Sequence, residues 1–94
     1  MFFLKEHLLS HHYHWANDAG SSKYIGDPGR RLFDPFNGNQ VLYIINFFGK
    51  SLGTLSLKEG HRLESLIIRQ LPDDIKSELA VYNWLRGEYL YYGQ

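Results

Sequence analysis

The chain of 94 residues has no cysteine. That removes disulfides, thiolate nucleophiles and thiolate metal sites together, and it favours a reducing compartment over secretion, where small domains usually carry disulfides. An excess of charge is missing too, with ten Lys plus Arg against ten Asp plus Glu. No global field therefore draws the protein to nucleic acid or an anionic membrane, and any such binding needs a local patch. Long apolar runs are absent: the longest, Val41 to Ile45, is far short of the roughly 18 residues of a membrane span. The start, Met1-Phe2-Phe3-Leu4-Lys5-Glu6, lacks the basic and cleavage regions of a signal peptide. The expectation is a soluble, cytoplasmic protein with no membrane partner. Nucleophile elbow, P-loop, dinucleotide fingerprint and HExxH are absent as well, so no motif specifies a reaction class.

What is present is apolar and aromatic. A hydrophobic content of 44%, with 6 Phe, 7 Tyr and 2 Trp, supplies enough burial to offset the ordering entropy of one small domain spanning residues 1–94. No repeat, low-complexity tract or composition shift divides the chain. The fold class expected is mostly α: three or four packed helices with a long irregular loop.

Residues 2–16 read as the first helix, since Leu4, Leu8 and Trp15 recur at i, i+4 and i+11 without Gly or Pro between them. Asn17 to Ser22 ends it. From there to Asn39, the turn residues Asp27-Pro28-Gly29, Asp34-Pro35 and Asn37-Gly38 predict a long loop, with Tyr24-Ile25 paired to Leu32-Phe33. The segment 40–52 carries two readings. Its Val, Ile, Tyr and Phe favour a strand, and a hairpin of 41–48 with 52–57 turning at Gly49-Lys50 would give an α+β fold. Its spacing favours a helix with Val41, Ile44, Ile45, Phe48 and Leu52 on one side and Gly53 as the stop, and this is the reading adopted.

Ser56 and Glu59 have the form of a capping box. The helix that follows, 57 to about 70, places Leu57, Leu63, Leu66, Ile67, Ile68 and Leu71 over more than half its circumference, which predicts the most buried helix. Pro72-Asp73-Asp74 is expected to open a last helix running from about 74 to 90, whose stripe is Ile75, Leu79, Tyr82, Leu85 and Tyr89. Gly87 weakens its end. Glu59, Glu64 and Glu78 are read as solvated helix residues, and Asp73-Asp74 as helix-capping carboxylates.

Three constellations are candidates for function. On a helix, His7, His11 and His14 share an arc at i, i+4 and i+7, an arrangement able to bind zinc if a further ligand such as Asp18 or His61 approaches. His12-Tyr13-His14 with Asp18 resembles the HxHxxxD pattern of metal-dependent hydrolases, although those enzymes draw ligands from several distant segments of larger folds, so chance in a His-rich stretch explains it more simply. Lys58, Arg62 and Arg69, with His61 and Ser65 at the edge, form a short basic stripe suited to phosphates, nucleic acid or an acidic partner; an ordinary solvated face is its plain alternative. Ala80, Trp84 and Tyr91 form a second apolar stripe on the last helix, away from the first. One helix of a small monomer seldom buries two faces, so this stripe is expected to meet a protein partner or a second copy of the chain, the alternative being that the 2–16 helix or the long loop covers it within the same chain. The functional expectation is a non-catalytic interaction or regulatory module, self-associating as a homodimer. A metal-binding protein or small metal-dependent enzyme is the alternative, and nucleic-acid binding a weaker one.

Overall fold

The computed structural model describes residues 2–15, 26–53 and 55–92, the side chains of 90–92 excepted. The readings made for 16–25, including Tyr24-Ile25 and Asp18, lie outside the described residues. Among those described, three α-helices carry the fold: α1 (Gly38–Leu52), α2 (Leu57–Arg69) and α3 (Glu78–Tyr92), preceded by a 3-10 turn at Lys5–His7. The protein is mostly helical, and the only β pairing described is two isolated bridges, His14 with Asn37 and Leu32 with Ser77.

Segment 40–52 is helix, not hairpin. The Asn37 side chain accepts the Asn39 and Gln40 N–H groups, which starts α1, and Gly53 at φ 89° stops it in the left-handed region that favours glycine. Between these caps Val41, Ile44, Ile45 and Phe48 are buried, so one-sided burial at helical spacing outweighs the β preference of the residue types.

The capping box is formed: the Ser56 hydroxyl accepts the Glu59 N–H at 3.1 Å and the Glu59 carboxylate accepts the Ser56 N–H at 2.9 Å. Burial in α2 is narrower than its composition suggests. Gly60, Leu63, Glu64, Leu66 and Ile67 are buried, whereas Leu57 and Ile68 are 45% and 39% exposed.

The last helix begins at Glu78, four residues later than expected, and continues through Gly87. Asp73-Asp74 does not cap it. They occupy a turn in which the Ile75 N–H donates to the Pro72 carbonyl at 3.1 Å. The start of α3 is fixed instead by the loop before α1: Phe33 donates to the Lys76 carbonyl, Glu78 to that of Arg31 and Leu79 to that of Gly29, at 2.8–2.9 Å. The Ser77 hydroxyl accepts the Ala80 N–H at 3.1 Å. Leu32 thus pairs with Ser77. The buried line of α3 is Glu78, Val81 and Leu85, flanked by half-buried Tyr82, Trp84 and Tyr89, and Leu79 faces outward.

The first segment is the largest departure from expectation. Residues 2–15 contain no α-helix; they form a strap laid over α1 and α2. Its hydrophobic anchors are Phe3 and Leu8, with Leu4 43% exposed. Outside the 3-10 turn, the backbone groups of Phe3, Leu9, Ser10 and His14 are satisfied from a distance. Phe3 exchanges two hydrogen bonds with the Asn46 amide, at 2.7 and 2.9 Å, and His14 and Gly38 use the backbone in the parallel bridge. A segment whose N–H groups are taken by side chains and carbonyls of other elements cannot close an i to i−4 ladder. Two glycines let the strap's rings approach the helices: a Cβ at Gly60 would overlap Phe3, and one at Gly38 would overlap Trp15.

Candidate binding surface

Two glutamates read from the sequence as solvated are among the most buried residues of the chain, each 2% exposed. Glu64 lies on the inner side of α2, one turn from Gly60 and Ile67. It accepts the backbone N–H groups of Leu9 at 2.9 Å and Ser10 at 3.1 Å and the hydroxyl of Tyr13 at 2.7 Å. Charge-assisted bonds of this kind are what make a buried carboxylate tolerable. Their consequence is that α2 holds the middle of the strap.

Glu78 does the same for the loop before α1. Arg31 approaches it through Nη2 at 2.6 Å and Nε at 2.8 Å, and the Gln40 amide donates at 2.8 Å. Gln40 also donates to the Leu32 carbonyl at 2.8 Å and accepts the Asp34 N–H at 2.7 Å. A carboxylate of α3, an amide of α1 and a guanidinium of the loop therefore form one network around a buried carboxylate, in which removing any member leaves the others short of partners. No buried side-chain nitrogen or oxygen among the described residues lacks a hydrogen bond.

The tyrosines report the same carboxylates. Burial, then the hydrogen bond to Glu64 and its charge, holds the Tyr13 phenol well above its ordinary range. Tyr43, whose hydroxyl donates to the Gly26 carbonyl at 2.8 Å, is raised by burial and by the charge of Glu78. At the start of α2, Tyr89 donates to Glu59 at 2.6 Å, which raises the phenol and lowers the carboxyl.

The histidines do not converge, because the helix that was to align them is absent. His7 Nδ1 accepts the Leu4 N–H at 2.9 Å, while His14 Nε2 pairs with Asp34 at 3.1 Å on the far side of the bridge. His11 is exposed and lines an open groove along the strap. His61 donates to the His7 carbonyl at 2.8 Å, and His12 donates to that of Pro35 while its Nδ1 contacts the Ser10 hydroxyl. Among the described residues, no group of three or more His, Asp or Glu is placed to hold a metal ion.

Of the basic stripe, Lys58 and Arg69 are exposed. Arg62 is half-buried, its guanidinium 5.7 Å from the Tyr89 ring centroid, beside a shallow concavity that also takes in Ser65, Gln70 and Glu88. Acidic Glu59 lies in the first turn of α2 and Glu88 lines the concavity beside Arg62, so the stripe is not a uniformly positive face. Ala80 and Trp84 are half-buried one turn apart on α3, and Trp84 packs against the core. Tyr91 belongs to α3, with its side chain outside the described residues.

Sequence reasoning missed the outward side of the clamped segments. Leu32, Phe2, Leu9 and Phe36 are 71%, 69%, 64% and 56% exposed, and all four lie in the strap or in the loop before α1. His12 connects two of these regions, its ring 5.1 Å from that of Phe36. No described helix is long and apolar enough to cross a membrane. No protein-family model matches the chain, and neither the curated proteins nor the solved structures contain a significant match to it.

Proposed function

We propose that this chain is a small, non-catalytic protein-interaction module that presents its strap and its pre-α1 loop to another polypeptide, a second copy of the chain being the simplest such partner. The observation that carries this reading is the exposure of Leu32, Phe2, Leu9 and Phe36, at 56–71%, on irregular segments that hydrogen bonds to buried Glu64 and Gln40 already hold in place. Single exposed apolar residues are ordinary on any surface. Here, however, they sit on loops positioned by a rigid scaffold, the usual location of binding residues. A segment ordered in advance loses less freedom when a partner docks. Glu64 and Glu78, the carboxylates that burial makes most unusual, spend their oxygens on these internal bonds instead of presenting them to a substrate. The half-buried Ala80 and Trp84, with Tyr91 further along α3, are a second edge for the same association.

The test is sedimentation of the purified chain up to about 1 mM, where a contact worth roughly 4 kcal/mol becomes half occupied. Self-association predicts a mass rising from 11.0 kDa toward twice that value, reversed in a Leu9→Ser, Phe36→Ser variant and unaffected by Lys58→Ala. A monomer at every concentration contradicts self-association. A dimer undisturbed by the double variant but lost in Trp84→Phe moves the interface to α3.

A further inference from the structure

The strap carries a two-ring corner that the Glu64 clamp helps to position. Tyr13 and Trp15 stand with ring centroids 5.9 Å apart and planes inclined at 67°. Both are fixed from behind, Tyr13 by its bond to buried Glu64 and Trp15 by its close fit against Gly38. The ammonium of Lys5 lies 4.6 Å from the centroid of the Trp15 ring. Indole offers the strongest ring quadrupole among the side chains, and a cation at this distance is attracted to its face. Lys5, Tyr13 and Trp15 line one open groove, and Glu6 lines it with them and adds negative charge. Lys5 itself is exposed and belongs to a mobile side-chain type, so its seat on the ring is one that another cation of the same shape can take.

We propose that the Trp15 and Tyr13 corner is a binding site for the ammonium group of a lysine side chain, plain or methylated, presented by a partner polypeptide, and that Lys5 is its resident occupant. The chain's own lysine, which lines the groove, shows the fit by holding its ammonium over the indole. Displacing Lys5 costs the incoming ligand part of its affinity, as any pre-existing occupied state does. This inference does not rest on self-association, because a small ligand can fill the corner of a monomer.

The test is a proton–nitrogen NMR titration with Nα-acetyl-lysine amide and its Nε-trimethyl form, following the two indole N–H signals. Trp84, on α3, serves as the internal control. The proposal predicts that the Trp15 signal moves and saturates with both ligands, that neutral Nα-acetyl-norleucine amide leaves it in place, and that Lys5→Ala tightens binding about three- to sixfold by removing the competitor. A Trp15 signal that stays still in both wild type and Lys5→Ala overturns the site. An equal response to norleucine amide overturns the cation specificity, and an unchanged affinity in Lys5→Ala overturns the role of Lys5.

Discussion

Replacing Glu64 by glutamine changes one oxygen to an amide NH2 with almost no change of shape, and the structure gives the cost. The carboxylate serves three donors: the Leu9 and Ser10 N–H groups and the Tyr13 hydroxyl. A glutamine has one oxygen. If that oxygen faces Leu9, the Ser10 N–H meets an NH2; if it faces Ser10 and Tyr13, the Leu9 N–H is orphaned. The Tyr13 hydroxyl can rotate to accept, but a backbone N–H cannot, and leaving one without a partner costs about 1–3 kcal/mol. The bonds that survive become neutral and lose part of their charge-assisted strength, about another 1 kcal/mol. The expected loss is about 2–4 kcal/mol, a large share of the 5–15 kcal/mol typical of a whole domain. Urea unfolding followed by far-ultraviolet circular dichroism measures it, with Glu59→Gln on the outer side of the same helix as a control expected to lose no more than about 1 kcal/mol. A Glu64→Gln loss below about 0.5 kcal/mol, in the range of ordinary surface changes, would refute the clamp.

Two glycines in helices should respond oppositely to alanine. Gly87→Ala meets nothing within 4 Å and should stabilise by about 0.5–1 kcal/mol. Gly60→Ala gains the same helix preference but drives a Cβ into the fully buried Phe3 ring, so a net loss of about 1–2 kcal/mol is expected in the same unfolding assay. The raised phenols set an alkaline limit. Because the folded pKa of Tyr13 lies above the unfolded value of 10.0, its contribution is complete below that pH and is lost as pH rises beyond it. Stability should therefore fall above pH 10 by about 1.4 kcal/mol per unit for each tyrosine kept protonated. Tyr13→Phe should flatten that fall, and unfolding curves at stepped alkaline pH check it.

The helices were legible because their signals are local. Asn37 and Gly53 bracket a spacing of 41, 44, 45 and 48, and the Ser56–Glu59 pair announces α2 three residues apart. The strap was not legible, since Leu4, Leu8 and Trp15 match a helical spacing while what decides the backbone is Glu64, 54 and 55 positions away from the N–H groups it binds. The start of α3 failed for the same reason: Asp73-Asp74 is good local cap chemistry, but carbonyls of Gly29 and Arg31 already hold the N–H groups of Leu79 and Glu78. The glutamates carried a signal that residue type obscured. Glu64 sits one turn from Gly60 and Ile67, and Glu78 precedes Val81 and Leu85 at i+3 and i+7, on faces that the structure buries and that reading the carboxylates as solvated passed over. The exposed apolar surface depends on those clamps, so it became visible only with them.

The most direct test of the clamp is native-state hydrogen exchange on the unaltered chain. The Leu9 and Ser10 amides lie outside every helix, yet bond to a carboxylate that is 2% exposed. They should exchange far more slowly than unstructured peptide, with opening free energies of at least about 2 kcal/mol. Exchange of both at the rate of a free peptide would mean that Glu64 does not hold the strap, and the surface built on it would go with it.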